Sequence, residues 1–301
     1  MRPPYRWQLR SRVLELGQRT LVMGVVNVTP DSFSDGGKFL DAESAIAHAL
    51  RLLDEGADIV DIGGESTRPG APVAIGDAGA TSAPVSEEEE LRRIIPVMQG
   101  VLRARPDTVI SVDTYKSGVA RAAIGAGAEI VNDVSAFQWD TQMARTCAEL
   151  ECGVVMMHTR GRPQEWHNLP RESNLVARVE HDLANWAQLA FERGVRRDRI
   201  VLDPGFGFGK NFEENYPLLA HLDQLQRLGF PLLAGTSRKS FVGRTVGKRN
   251  GKDAPPDERL YGSLAAMVAA ILRGAHIVRV HDVKPAVEAA AVADEILVAT
   301  P

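Results

Sequence analysis

The sequence predicts an α/β fold, a (β/α)8 (TIM) barrel with a short N-terminal β-hairpin, and three observations carry that prediction. Eight short apolar runs, most of them β-branched, each give way to a helix or a helix-length segment. Strands alternating with helices in this way demand a parallel sheet. A weak internal repeat has a matching period. Gly56-Ala57-Asp58-Ile59-Val60, Gly127-Ala128-Glu129-Ile130-Val131 and Gly274-Ala275-His276-Ile277-Val278 share one pattern of capping glycine, alanine, polar residue and strand. They stand 71 and 147 residues apart, close to two and four units of ~36 residues. Finally, polar residues follow the apolar runs all along the chain. An open doubly wound sheet is the alternative, but it gathers its site at one switch point rather than at every strand end.

Taken in order, Tyr5–Leu16 alternates through Trp7, Leu9, Val13, Leu14 and Leu16, with Gly17-Gln18 as a turn, and reads as a hairpin covering one end of the fold. Leu21–Val26 is apolar throughout, as a strand buried on both faces should be. Pro30 ends its ladder, and 31–37 reads as a mobile polar loop with glycine hinges. Ala42–Asp54 places Ala45, Ile46, Ala49, Leu50 and Leu53 at helical spacing, with Gly56 at the C-cap. The strand Ile59–Ile62 leads into Gly63-Gly64-Glu65-Ser66-Thr67-Arg68-Pro69-Gly70, and 71–85 is a Gly- and Pro-rich surface loop. Ser86 and Glu89 form a capping box for a helix to about Arg103. The remaining strands are Val109–Val112, Ile130-Val131, Val154–Met157, Ile200–Leu202, Pro231–Ala234 and Ile277–Val280. Helices are expected over 116–124, 141–149, 173–193, 211–228, 258–273 and 285–298, with a polar, basic loop at 247–256.

The 301 residues are 44% hydrophobic and 25% charged with a net charge of −4, an ordinary globular balance without a nucleic-acid footprint. A chain this long buries roughly 75% of its unfolded surface and needs no staples. Cys147 and Cys152 make neither a disulfide framework nor a CxxC metal pair, and read as reduced core thiols. No apolar run reaches the ~18 residues of a membrane span and residues 1–17 lack a signal-peptide core, so the cytosol is the expected compartment. The whole of 1–301 is expected to form one domain, with 1–19 as its hairpin extension.

In a barrel the carboxyl ends of all strands share one mouth. Those ends carry Asn27, Thr67 and Arg68, Asp113, Asn132, Met156 and His158, Asp203, Lys239, and Arg279 and His281. Arg68, Lys239, Arg279 and His281 make one arc cationic. Arg279 and His281 stand just before the last helix, whose free N–H groups and dipole favour an anion. The opposite arc, Asp113, Asn132 and Asp203, offers acceptors and an amide, which a guanidine-like heterocycle edge would satisfy. A planar, nitrogen-rich substrate bearing phosphate fits both arcs. Gly205-Phe206-Gly207-Phe208-Gly209-Lys210 lacks GxGxxG spacing and has Asn211 after its lysine, so it reads as a tight strand-to-helix turn rather than a phosphate loop. His158, His167 and His281 do not share a helix face as metal ligands would.

Seven motifs in sequence then resemble the dihydropteroate synthase family: MGVVNVTPDSFSDGG (23–37), DIGGESTRPGA (61–71), SVDT (111–114), VNDVSA (131–136), LDPGFGFGK (202–210), GTSRKSFVG (235–243) and RVHDV (279–283). The resemblance runs from about residue 20 to the C-terminus. It implies condensation of 7,8-dihydropterin-6-ylmethyl diphosphate with 4-aminobenzoate, giving 7,8-dihydropteroate and diphosphate. Asn27 is then implied as the Mg²⁺ ligand, with Arg68, Arg279 and His281 holding the anion. Asp113, Asn132, Asp203 and Lys239 grip the pterin, and Met156 packs against its ring. Thr67, Pro69, Phe206 and Ser240 lie near the aminobenzoate, while Lys239, Arg68 and Asp35 serve the catalytic step. A homodimer is also implied, as are loops after Asn27 and Gly64 that close over the reacting atoms. The chain departs from the family in a 71–85 loop some ten residues longer than usual and in a loosely matching 158–163 segment. Methyltetrahydrofolate-dependent methyltransferases bind the same heterocycle but no diphosphate, so the SRK and RVH cations argue against them. The same cations, with Asn27, argue against a non-catalytic paralogue.

Overall fold

The computed structural model describes residues 2–29, 38–67 and 84–299. The chain opens with an antiparallel hairpin, β1 (Tyr5–Gln8) and β2 (Val13–Leu16), which pairs Tyr5 with Leu16 and Gln8 with Val13. Its reversal lies at 9–12, where the Leu9 N–H donates to the Arg12 carbonyl at 2.8 Å, and not at Gly17-Gln18. Gly17 instead ends the hairpin at φ +106°, where a Cβ would meet the Pro3 carbonyl oxygen at 2.8 Å.

Eight parallel strands follow: β3 (Leu21–Asn27), β4 (Ile59–Gly63), β5 (Val109–Asp113), β6 (Ile130–Asp133), β7 (Gly153–Met157), β8 (Ile200–Asp203), β9 (Leu233–Ala234) and β10 (Ile277–Val280). They pair in the order β8-β7-β6-β5-β4-β3-β10-β9. A parallel bridge from Leu202 to Leu232 joins the two ends of that order. The sheet therefore closes into a barrel, and the doubly wound alternative falls. β9 is short at its start because Pro231 has no N–H to give a ladder.

Side-chain alternation divides the strands into two cores. Outward residues such as Val22, Val60, Ile110, Val131, Val154 and Leu202 pack into the surrounding helix layer. Inward residues Met23, Ile59, Val109, Ile130, Val155, Val201, Leu233 and Ile277 form a lower layer with Trp7, Leu9 and Leu16 of the hairpin. The hairpin is thus the floor of the barrel. Trp7 is 1% exposed and its indole N–H donates to the Arg199 carbonyl at 2.8 Å. Trp7→Ala is expected to cost about 3–5 kcal/mol in urea denaturation with little change in substrate KM, since that end of a barrel serves stability.

The helices are α1 (Lys38–Asp54), α2 (Glu87–Ala104), α3 (Ser117–Gly125), α4 (Met143–Leu150), α5 (Leu175–Glu192), α6 (Phe212–Ala220), α7 (Ser240–Gly247), α8 (Leu260–Leu272) and α9 (Val283–Ala299). Ser86 caps α2 by accepting from the Glu89 N–H. The predicted 211–228 helix divides, with α6 ending at Ala220 and a 3-10 stretch covering Leu222–Leu228. Ser240–Gly247, where the sequence reading places no helix, is helical. The repeated glycines stand at φ +103°, +109° and +100°. After each, the alanine N–H reaches back five residues, Ala57 to Leu52, Ala128 to Ala123 and Ala275 to Ala270, the helix-ending pattern that needs a left-handed residue. Gly194 and Val195 make a fourth copy, with φ +94° and a Val195 N–H to Ala190 bond. Among the described residues no helix is long and apolar enough to cross a membrane.

Candidate active site

The inward alternation that builds the floor continues upward and decides which residues reach the mouth. From Met23 it brings Asn27 on β3 to the mouth, and from Ile59 it brings Asp61 and Gly63 on β4. From Val109 it brings Ser111 and Asp113 on β5, and from Ile130 it brings Asn132 on β6. From Val155, Val201 and Ile277 it brings Met157, Asp203, Arg279 and His281. Lys239 enters from the turn after β9 as the N-cap of α7.

Four of these side chains, Asp61, Asp113, Asn132 and Arg279, form one connected network. Arg279 Nε donates to Asp61 Oδ2 at 2.6 Å, and Arg279 Nη2 donates to Asp113 Oδ2 at 2.7 Å. Asn132 Nδ2 donates to the same Asp61 oxygen at 3.0 Å. Across the mouth Asp203 Oδ1 accepts the Gly205 N–H at 2.7 Å. The Lys239 ammonium lies 3.8 Å from the ring centre of Phe208, and Phe208 meets Trp166 edge to face at 5.3 Å. Up to 218 residues of chain separate these groups; the barrel puts them in contact.

Burial sets the charge states. It pushes Asp113 up to about 7 against the pull of Arg279 and Asp203 up to about 6 against the Gly205 N–H and Lys239. Burial and the neighbouring Arg279 bring Lys239 down to about 7. His281, expected in the cationic arc, is brought to about 3 by burial and by Arg279, Arg238 and Lys239. It is therefore a neutral ring near pH 7. Its backbone N–H donates to Ser237 Oγ at 3.2 Å and its Nδ1 lies 3.1 Å from the same oxygen. With the Ser237 hydroxyl donating to Nδ1, the ring proton sits on Nε2.

Several expected positions change. Met156 faces the helix layer, fully buried, because it is one residue out of phase with Val155; Met157 is the methionine on the mouth side. Phe206 is likewise fully buried, 6.3 Å from Phe241, and half-buried Phe208 is the ring beside Lys239. Arg279, expected at the anion, has two of its nitrogens committed to carboxylates. His158 points to α5, where Nε2 lies 3.2 Å from Asp182 and the ring stacks on Trp186 at 5.3 Å. Asn27 and Thr67 are half-buried at the mouth and Ser240 is exposed beside Lys239. Asp35, Arg68 and Pro69 lie outside the described residues, as do the 31–37 loop and most of the 71–85 connection.

The glycine-rich turn works differently from a ligand cradle. Gly205, Gly207 and Gly209 all have positive φ (66°, 82° and 66°). The Lys210 ammonium donates to the carbonyls of His158, Gly205 and Phe208 at 3.1, 2.7 and 3.1 Å. Lys210 therefore ties the turn to the chain after β7 rather than pointing to a ligand. Glu65 of the DIGGEST motif is also structural, accepting from Lys116 at 2.6 Å and from the Val85 N–H at 3.3 Å.

Among the described residues no group of three or more His, Cys, Asp or Glu is placed to hold a metal. Mg²⁺ needs only one or two protein oxygens when a substrate phosphate completes its shell. The Asn27 amide, half-buried at the end of β3, fits that requirement.

Comparison with known proteins agrees with this geometry. Residues 23–281 match the pterin binding enzyme family. The dihydropteroate synthase of Synechocystis sp. is 43% identical over 285 residues, covering 94% of this chain and 92% of that one. Among solved structures, a Xanthomonas albilineans dihydropteroate synthase with 4-aminobenzoic acid superposes with a TM-score of 0.85 at 43% identity, over 99% of this chain and 100% of the other. The same organism's enzyme in complex with 7,8-dihydropteroate gives 0.81 at 41% identity, over 98% and 100%.

Proposed function

This chain belongs to the pterin-binding enzymes and, within them, to the dihydropteroate synthases, and on that premise we propose how its own residues divide the work. The reaction is a transfer in folate biosynthesis: a 7,8-dihydropterin-6-ylmethyl diphosphate and 4-aminobenzoate give 7,8-dihydropteroate and diphosphate. The observation that carries the assignment of residues is the single network of Asp61, Asp113, Asn132 and Arg279 facing Asp203 and Lys239 in one mouth.

Asp203, Asp113 and Asn132 meet the hydrogen-bonding edge of the pterin, Lys239 meets its acceptors, and Met157 packs on the ring. Phe208, with Thr67 and Ser240, lines the acceptor's side, and Pro69 joins them by resemblance alone. As the C–O bond breaks, negative charge collects on the departing diphosphate. His281 Nε2–H and the N-terminal N–H groups of α9 are the groups of this chain that answer it where the charge develops, with Arg68 added by resemblance. Asn27 would hold Mg²⁺, which when bound would supply further charge neutralisation there. The electron-rich pterin spreads the positive charge left on the methylene carbon, so no covalent nucleophile is needed. The weakly basic aminobenzoate amine attacks that carbon and gives up one proton to the departing diphosphate, with Asp35 and Arg68 assigned by resemblance to the closing loops that exclude water.

Mixing the protein with both substrates and Mg²⁺ should release diphosphate; no release would overturn the reading, and no change on chelation would remove the metal from it. His281→Ala is expected to weaken binding of the diphosphate ester about tenfold, the worth of one hydrogen bond to a charged group, and to leave the free pterin alcohol nearly unaffected. Equal calorimetric losses for both ligands would take His281 out of the anion site. A cytosolic location belongs to this reading, supported by the free buried thiols of Cys147 and Cys152. So does a homodimer, supported by exposed Tyr261, Val292, Ile296 and Val298 on α8 and α9; light scattering tests it.

A further inference from the structure

We propose that Asp61 is a positioning residue for pterin recognition: one buried carboxylate oxygen fixes both Arg279 and Asn132, and through Arg279 also Asp113. The proposal rests on the reading above and adds a residue that touches no reacting atom. Asp61 is fully buried on β4. Its Oδ2 takes Arg279 Nε from β10 and Asn132 Nδ2 from β6, so a single oxygen gathers groups from strands two places away on either side. Arg279 then passes its Nη2 to Asp113 on β5. Two of the groups assigned to the pterin, Asn132 directly and Asp113 through Arg279, are thereby arranged by a residue that lies beneath them.

Folding alone does not account for a carboxylate here. The other oxygen, Oδ1, is buried without a hydrogen-bond partner among the described residues, and so is Oγ of Ser111, its register partner on β5. A buried ion with half its acceptors unused is costly, and apolar side chains in place of the whole Asp61–Arg279 pair would pack as well or better. What the carboxylate supplies is orientation. Asn132 must present Nδ2 to Asp61, which fixes the direction of its carbonyl. Arg279 is held at its Nε edge, which fixes the guanidinium that Asp113 leans on. Without Asp61 the amide is free to flip and the floor of the site gains a positive charge.

The test compares wild type with Asp61→Asn, which keeps size and removes charge. Pterin affinity by calorimetry should fall about 10- to 100-fold, the range for losing a supporting group or misplacing a contact by an ångström. The KM for 4-aminobenzoate should hold; Tm should fall, because Arg279 keeps only Asp113 as a carboxylate partner, so both affinities are measured well below the variant's Tm. A second readout separates positioning from general damage. Asp113 faces Arg279, Asp61, Glu90 and Asp133; removing the Asp61 charge takes away one repulsion, so the acidic limb of the kcat/KM profile should move to lower pH. Should the variant be insoluble, Asp61→Ser, too short to reach Arg279, is read in the same way. Unchanged pterin affinity with an unchanged acidic limb overturns the proposal, and so does an equal loss for both substrates. If wild type releases no diphosphate, the enzymatic reading fails instead, and pterin binding by the two proteins still decides the role of Asp61.

Discussion

Asp203→Asn is expected to leave the protein at least as stable at neutral pH while removing most of its pterin affinity. The side chain is 5% exposed, and burial raises its pKa to about 6 from 3.8. Between those two values the folded protein holds a proton that the unfolded chain has released, so stability falls as pH rises through that window. Near pH 7 the buried carboxylate therefore costs the fold about 3 kcal/mol at most. Asparagine removes this cost and still offers an oxygen to the Gly205 N–H, now held by Oδ1 at 2.7 Å. Lys239 loses an attractive partner, but it already sits at about 7 and can lose its proton cheaply. The difference in Tm between variant and wild type should therefore be near zero at pH 4 and grow toward pH 7. Pterin binding should move the other way. A charged acceptor facing heterocycle N–H donors contributes about 1.5–3 kcal/mol, so calorimetry should show a loss of about 10- to 100-fold. A variant that is both less stable at pH 7 and unimpaired in binding would mean that Asp203 belongs to the fold and not to the site.

The barrel is legible in the sequence because its signals are local and repeated. Each strand is a short apolar run, and each helix-to-strand turn of the repeat is closed by a glycine in left-handed conformation. The copy at Gly194 is harder to see, because valine follows it where the others have alanine. α7 is hidden for a related reason. Gly243 and Gly247 lower its helical propensity, yet a Cβ at Gly243 would stand 2.2 Å from Arg259 Nε, so a distant side chain and not local preference put glycine there. The site is legible as a set of strand ends but not as a phase. Position in a motif singles out Met156 and Phe206, whereas the pleat selects Met157 and the turn presents Phe208. Counting in steps of two from Val155 finds Met157, and the same count from Ile59 reaches Asp61. Charge is the least legible property. The neutral state of His281 comes from burial together with Arg279, Arg238 and Lys239, and two of these reach it from the turn after another strand. No spacing rule along β10 could anticipate them.

Gly205→Ala should produce the largest loss of stability of any single methyl added to this chain's active-site turn. Gly205 has φ +66°, and a Cβ built on it falls 1.9 Å from the His158 carbonyl oxygen, a backbone atom that cannot rotate away. His158 is itself pinned, since its N–H donates to the Asp203 carbonyl at 2.8 Å and its own carbonyl accepts from Lys210. Relief of the clash must therefore part β7 from β8, release Lys210 and shift Asp203. Left-handed backbone alone costs an alanine about 1–2 kcal/mol; adding the broken hydrogen bonds, at about 1 kcal/mol each, brings the expected loss above ~4 kcal/mol, in the exceptional class. Gly207→Ala supplies the control. Its φ is +82°, but its nearest neighbour is the flexible Lys239 Cδ at an ordinary 3.4 Å, so only the backbone cost of about 1–2 kcal/mol should appear. Urea denaturation of the two variants distinguishes the explanations. Equal losses would mean that left-handed geometry is all the turn requires; a loss confined largely to Gly205 would show that the close approach of β7 and β8 holds Asp203 in place, so that the pterin carboxylate and the core of the barrel are secured by the same contact.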